Sequence, residues 1–144
     1  MIYLDVSYIL RLYVEDPGWE EVRKLAARAP IACSLHGQAE VIAALHRKFR
    51  EGAFTASEFR HVLDQFDLDC DHDAFRWLPL SPQVIARVRE SYGKLAPTIF
   101  LRASDALHLA CAAENRFLEI YSNDQHLLRA SQHFAVKGVN ILPA

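Results

Sequence analysis

Short runs of β-branched and aromatic residues alternate along this chain with longer stretches of helical periodicity. That alternation constrains the fold to a parallel sheet with helices on both faces. Met1–Leu4 reads as a first strand, and Ser7–Glu15 as a short helix stopped by Asp16-Pro17-Gly18. Trp19–Arg28 is amphipathic, with Val22, Leu25 and Ala26 on one face, and Ile31–Ser34 is a second strand. Gly37–Arg50 carries Ala39, Ile42, Ala43, Leu45 and Phe49 at helical spacing. Thr55–Phe66 opens with Thr55-x-x-Glu58, the pattern of a reciprocal cap. An acidic loop precedes a third strand, Phe75–Leu80. Ser81-Pro82 then starts a helix running to about Gly93, with proline at its first position. Ser104–Asn115 is apolar nearly all round, which marks a helix buried on most of its surface. Glu119–Ser122, the helix Asp124–Phe134 and a last strand at Val139–Leu142 complete the pattern.

The 144 residues suit one domain spanning 1–144, and with 51% apolar residues a sizeable core is available. No apolar run approaches the roughly 18–20 residues of a membrane span. The chain enters its first strand without a basic or cleavable apolar leader, so a cytoplasmic protein is expected. Cys33, Cys70 and Cys111 are odd in number and widely spaced, and read as free thiols. The net charge of −2 gives no overall basic excess for a nucleic-acid partner, though a local basic patch is compatible with it.

In parallel sheets the functional crevice lies beyond the carboxyl ends of the strands. Asp5 directly follows the first strand, and Asp124 follows the fourth. Glu40 lies near the start of the helix after the second strand. Asp105 opens the buried helix. Four segments thus deliver one carboxylate each to one region. Each acid also has a plain structural reading. Asp105 suits a first helical turn with Ser104 as its N-cap, Asp124 suits an N-cap, and Glu40 suits a solvated helix face. Asp5 is harder to explain this way, because a carboxylate ending a buried strand is costly without a partner. Clustered carboxylates raise one another's pKa unless they share protons or a cation holds them. An all-oxygen set suits Mg²⁺ or Mn²⁺, and a metal so placed activates water for phosphodiester hydrolysis.

Four motifs carry a resemblance: Ile2-Tyr-Leu-Asp5-Val-Ser7, Ser34…Glu40-Val-x-x-Ala44-Leu, Ala103-Ser-Asp105-Ala-Leu-His-Leu-Ala110, and Ser122-Asn-Asp124-x-x-Leu127. In order and spacing the chain resembles the PIN-domain family, in particular the VapC-type toxins of bacterial toxin–antitoxin pairs. The resemblance implies an α/β fold of three layers, α/β/α, around a central parallel five-stranded sheet. It implies an endoribonuclease in which Asp5, Glu40, Asp105 and Asp124 bind Mg²⁺ or Mn²⁺. Ser7 would support the first acid, and Ser122 matches the hydroxyl residue two before the last. It further implies an RNA substrate, a homodimer, and a small VapB-like antitoxin as partner. One position departs: where the family often has Thr or Ser after the first acid, this chain has Val6.

Other signals are weaker. Asp67-Leu-Asp69-Cys-Asp71-His-Asp73 alternates acids as a calcium loop does. It lacks the glycine at loop position six and the closing glutamate, so a solvated acidic loop is expected. The seven histidines show no ligand spacing among themselves or with cysteine, and read as ordinary surface or core residues. His108, one turn beyond Asp105, reaches toward the rim of the site. Arg11, Arg47 and Arg102 are candidate RNA contacts, with Lys48 and Arg50 beside Arg47, although solvated charge explains the Arg47–Arg50 group equally. Two alternatives stay open: a non-toxin RNA-processing nuclease, and a non-catalytic RNA- or protein-binding module on the same fold.

Overall fold

Five short strands form the centre of the molecule: β1 (Ile2–Tyr3), β2 (Ile31–Ser34), β3 (Phe75–Leu78), β4 (Glu119–Tyr121) and β5 (Lys137–Val139). The computed structural model describes residues 1–143; the last position of the expected domain, Ala144, lies outside them. β2 pairs in parallel with β1 on one side and β3 on the other, and β4 pairs in parallel with β5. A single bridge between Leu4 and Tyr121 joins the two ladders, reinforced by the Asp5 amide donating to the Tyr121 carbonyl at 3.0 Å. The order across the molecule is therefore β3-β2-β1-β4-β5, all parallel.

The hydrogen-bonded ladder is three strands plus two rather than an unbroken five. The cause is local. β1 ends after two residues because Asp5 already caps the following helix, its side chain accepting from the Tyr8 amide. All four residues of β2 are buried, as a central parallel strand requires.

Among the described residues seven helices connect the strands: α1 (Val6–Leu10), α2 (Trp19–Ala26), α3 (His36–Arg50), α4 (Ala56–Asp71), α5 (Pro82–Lys94), α6 (Ala103–Glu114) and α7 (Gln125–Ala130). They flank the sheet on both sides, α3 packing on α1, α4 and β2, and α6 on β2, β4, α5 and α7. α6 buries seven of its twelve residues, Asp105 and His108 among them. The expected caps form. Thr55 and Glu58 make both bonds of the capping box, and Ser81 accepts from the Val84 amide ahead of Pro82.

Some boundaries differ from the sequence reading. α1 stops at Leu10, the third strand at Leu78, and the last strand runs over Lys137–Val139 instead of starting at Val139. The expected acidic loop is helical as far as Asp71. Tertiary packing extends α4: buried Phe66 meets Tyr13, Phe75 and Trp77, and the Tyr13 hydroxyl donates to Asp69 at 2.6 Å. Helical backbone fans Asp67, Asp69 and Asp71 around the axis, unlike the convergent carboxylates of a calcium loop. Cys33 and Cys111 are buried free thiols, and Cys70 is a half-buried one. Among the described residues no helix is long and apolar enough to cross a membrane.

The first turn of α3 lies hard against β2. A Cβ on Gly37 would sit 2.7 Å from the Cys33 sulfur and 3.5 Å from the His108 ring. Both neighbours are buried, so neither has room to retreat. Gly37→Ala is expected to destabilise the fold by about 1–3 kcal/mol through overpacking. Urea unfolding checks this, and an unchanged midpoint would show that the contact yields freely.

Candidate active site

The strand order changes direction beside β1: the chain proceeds outward through β2 and β3, then crosses back to β4 on the other side. A crevice opens at such a switch point, at the carboxyl ends of the strands. Here it is a cleft of about 540 Å³ whose lining includes Asp5, Glu40, Asp105 and Asp124, with Arg47, Arg50 and Arg102 among them. All four sequence-predicted acids reach this one cleft.

Asp5 lies at its base, 5% exposed. Oδ1 accepts from the Ser7 hydroxyl at 2.6 Å and from the Tyr8 amide at 3.3 Å, and Oδ2 accepts a short hydrogen bond from the Ser122 hydroxyl. Each serine oxygen accepts in turn from the turn after β4. Ser7 Oγ takes the Asn123 amide and Ser122 Oγ takes the Asp124 amide, both at 2.9 Å. Two serines thus clamp one carboxylate to the loop that presents another. Burial pushes the Asp5 carboxyl above the ordinary range, against the pull of the two serine hydroxyls. Val6, the family departure, lines the cleft and makes no side-chain hydrogen bond; Ser7 and Ser122 supply the hydroxyls.

Asp124 is both a cap and a cleft acid. Oδ1 accepts from the His126 and Leu127 amides at the start of α7, while Oδ2 accepts from Arg102 at 2.6 Å. Asp105 stands in the first turn of α6, which begins one residue earlier than expected, so Arg102 and not Ser104 occupies the N-cap position. Arg102 Nε donates to Asp105 at 3.0 Å. Its guanidinium therefore bridges two acids and supplies a counter-charge to both. Burial, with Asp124 nearby, raises the Asp105 carboxyl even so.

Glu40 projects from the second turn of α3. Its Oε1 accepts from His108 Nε2 at 2.7 Å and lies 3.1 Å from His36 Nε2. Burial alone would raise this carboxyl, but the two imidazoles and Arg102 outweigh it and hold Glu40 below the usual range. His108 is 2% exposed and faces the Tyr3 hydroxyl through Nδ1 at 2.8 Å. Burial opposes its charge, yet Cys33 and Glu40 dominate and push its pKa up to about 10. His36 is held low by burial and by His108. Sequence reasoning missed this group. A signal existed in His36, four residues before Glu40 on one helix face; nothing in the sequence pairs it with His108. Among the described residues, the set of three ligand atoms lying mutually within 4.8 Å is that of His36, Glu40 and His108. The four acids line the cleft without closing into so tight a cage.

Arg47 and Arg50 form a basic rim on the last turns of α3. Arg11 is placed differently. It is 9% exposed, and its guanidinium donates to the Pro17 and Ser7 carbonyls at 2.9 and 2.7 Å, bracing the backbone behind the cleft. Lys48 pairs with Asp16 at 2.7 Å.

The fold and cleft define an α/β domain with an acidic crevice at its topological switch point. The PIN domain family model matches residues 2–132, and the chain belongs to that family. A solved structure of FitAcB from Neisseria gonorrhoeae superimposes with a TM-score of 0.76 at 18% identity, covering 97% of each chain. VapBC2 from Rickettsia felis, bound to a DNA fragment from their promoter, gives a TM-score of 0.67 at 17% identity, covering 97% of this chain and 98% of that one. A search of curated sequences finds no significant match.

The burial of Asp5 makes a pH-dependent prediction. A carboxyl raised on folding keeps its proton more tightly in the native state. Stability is therefore lost as the pH climbs from the unfolded value, about 3.9, through the folded one. Asn at this position carries no such proton. In chelator, the melting temperature of Asp5→Asn relative to wild type is expected to rise across that window and level off above it. A pH-independent difference would remove burial as the cause.

Proposed function

We propose that this chain is a Mg²⁺- or Mn²⁺-dependent endoribonuclease and the toxin of a toxin–antitoxin pair. The observation that carries the reading is the single cleft into which four segments bring Asp5, Glu40, Asp105 and Asp124, under a rim of arginines. The oxygen donors of these acids fit a hard divalent cation. Two further features support a cation there: the raised carboxyls of Asp5 and Asp105, and the guanidinium already held between Asp105 and Asp124. PIN domains are generally metal-dependent nucleases, which agrees. When bound, the cation lowers the pKa of water and offsets charge on the phosphorane.

The chain's own residues do the rest. Ser7 and Ser122 fix the Asp5 carboxylate and leave it no freedom to turn away. His36 and His108 keep Glu40 ionised and oriented. Arg47 and Arg50 draw the RNA backbone to the cleft. The attacking oxygen is water's; the bond broken is one P–O ester of RNA, and the departing oxygen takes up a proton. The partner we propose is a cognate small, VapB-like antitoxin, with the chain acting as a homodimer in the cytoplasm. The structural likeness to FitAcB and to VapBC2 favours a partner of that kind.

RNA cleavage with Mg²⁺ or Mn²⁺ is expected to fall by on the order of 100-fold or more in Asp5→Asn, and to stop in chelator. Cleavage that survives both would sink the mechanism. A panel of structured RNAs is the substrate to use, because a toxin of this kind is selective. For the basic rim, the slope of log affinity for RNA against log salt is expected to shallow by about 1 in Arg47→Ala and in Arg50→Ala. An unchanged slope would place the RNA backbone elsewhere.

A further inference from the structure

Two histidines converge on a single oxygen of Glu40, and their geometry is that of a ligand set. His108 Nε2 lies 2.7 Å and His36 Nε2 3.1 Å from Glu40 Oε1, with the two rings 4.2 Å apart between centroids. In a tetrahedral zinc site, bonds of about 2.0–2.2 Å place neighbouring ligand atoms roughly 3.3–3.6 Å apart. The two nitrogens therefore need to draw back from the carboxylate oxygen by under ~1 Å to admit an ion. Two imidazoles and one carboxylate, with a coordination position left over, suit Zn²⁺ and its borderline neighbours; the hard ions that fit the acids favour oxygen.

The far side of each ring strengthens the case. A zinc-binding histidine normally anchors its other nitrogen on a hydrogen-bond partner that sets the tautomer. His36 Nδ1 meets the Ser34 hydroxyl at 2.7 Å, and His108 Nδ1 meets the Tyr3 hydroxyl at 2.8 Å. Ser34 and Tyr3 are fully buried, and Tyr3 is itself fixed by the Ser34 amide at 3.0 Å. A hydroxyl can accept as readily as donate, so both anchors serve a ring whose Nε2 has given up its proton. The cost of loading falls on the bond from His36 Nε2 to the Ser104 carbonyl, at 3.0 Å, and on the proton that His108 Nε2 holds against Glu40 at 2.7 Å, both of which must be released.

We propose that His36, Glu40 and His108 form a second metal site, selective for Zn²⁺ or a similar borderline divalent ion, beside the acidic cleft. Because Glu40 belongs to both, an ion here removes it from the oxygen-rich set and inhibits Mg²⁺-dependent cleavage. That consequence rests on the nuclease reading; the binding itself does not.

The test is calorimetric titration of the full chain with Zn²⁺ in a background of excess Mg²⁺, with Co²⁺ absorption as a report on nitrogen coordination. Wild type is expected to bind a single equivalent. His36→Ala is expected to bind at least about 100-fold more weakly, and Asp105→Asn within a few-fold of wild type. His36→Asn keeps a polar group against Ser34 should alanine loosen the fold. Three results would overturn the site: no uptake by folded wild type, equal affinity in both His36 variants, or loss of the ion in Asp105→Asn, which would put it in the acidic cleft. Zinc bound in the expected pattern by a chain that cleaves no RNA supports the site and removes the nuclease reading alone.

Discussion

The carboxylate of Asp5, buried at the point where the sheet's ladder divides, is the constraint around which the rest is arranged. A two-residue strand cannot hold two halves of a sheet together by backbone pairing. The joint between β1 and β4 consists of one bridge and one amide bond, and it is completed by side chains. Ser7 from α1 and Ser122 from the end of β4 both donate to Asp5 and both accept amides of the Asn123–Asp124 turn. The same bonds that tie the sheet together fix the separation between two cleft acids. Architecture and site geometry are one network here, so a change that loosens one loosens the other.

That network creates an electrostatic problem which the neighbours solve in different ways. The hydrogen-bond donors to Asp5 are all neutral, and burial raises its carboxyl. Asp105 and Asp124 share a cation of the protein's own, Arg102, whose side chain is 55% exposed. Glu40 is neutralised by the imidazole of His108, which is buried and cannot leave. A divalent ion entering the cleft would compete with the guanidinium for Asp105 and Asp124, and would find Glu40 already engaged by His108. The acids therefore differ in availability although they share one cavity.

The sequence revealed most where local chemistry decides the outcome. Alternating periodicities located the first four strands, because strand and helix periods are intrinsic to how each element is buried, and displaced the fifth by two residues. The ends of the strands placed Asp5 and Asp124, since parallel topology sends every strand's carboxyl end the same way. The reading failed where three bodies meet. Arg102 sits three residues from Asp105 and looked like a phosphate contact; only the fold brings Asp124 to its other nitrogen. Arg11, adjacent in sequence to the first acid's helix, turned inward because carbonyls of Ser7 and Pro17 lay within reach. The acidic segment became helix because Phe66 and Tyr13 packed it there.

His108 shows why such groups escape sequence reasoning. On α6 it is one more residue of an apolar helix, and a buried histidine is ordinarily a satisfied one. Its satisfaction comes from Tyr3 on β1, Cys33 on β2 and Glu40 on α3, three elements far apart in the chain. A core could have used leucine at this position at lower desolvation cost. Placing an imidazole there ties the orientation of Glu40 to the packing of β1 and β2. Asp5 ties the sheet to the cleft from below, and His108 ties it from the side. The Asp5 and Glu40 carboxylates are thereby held by the core itself, which is the rigidity that a site built from separate segments needs.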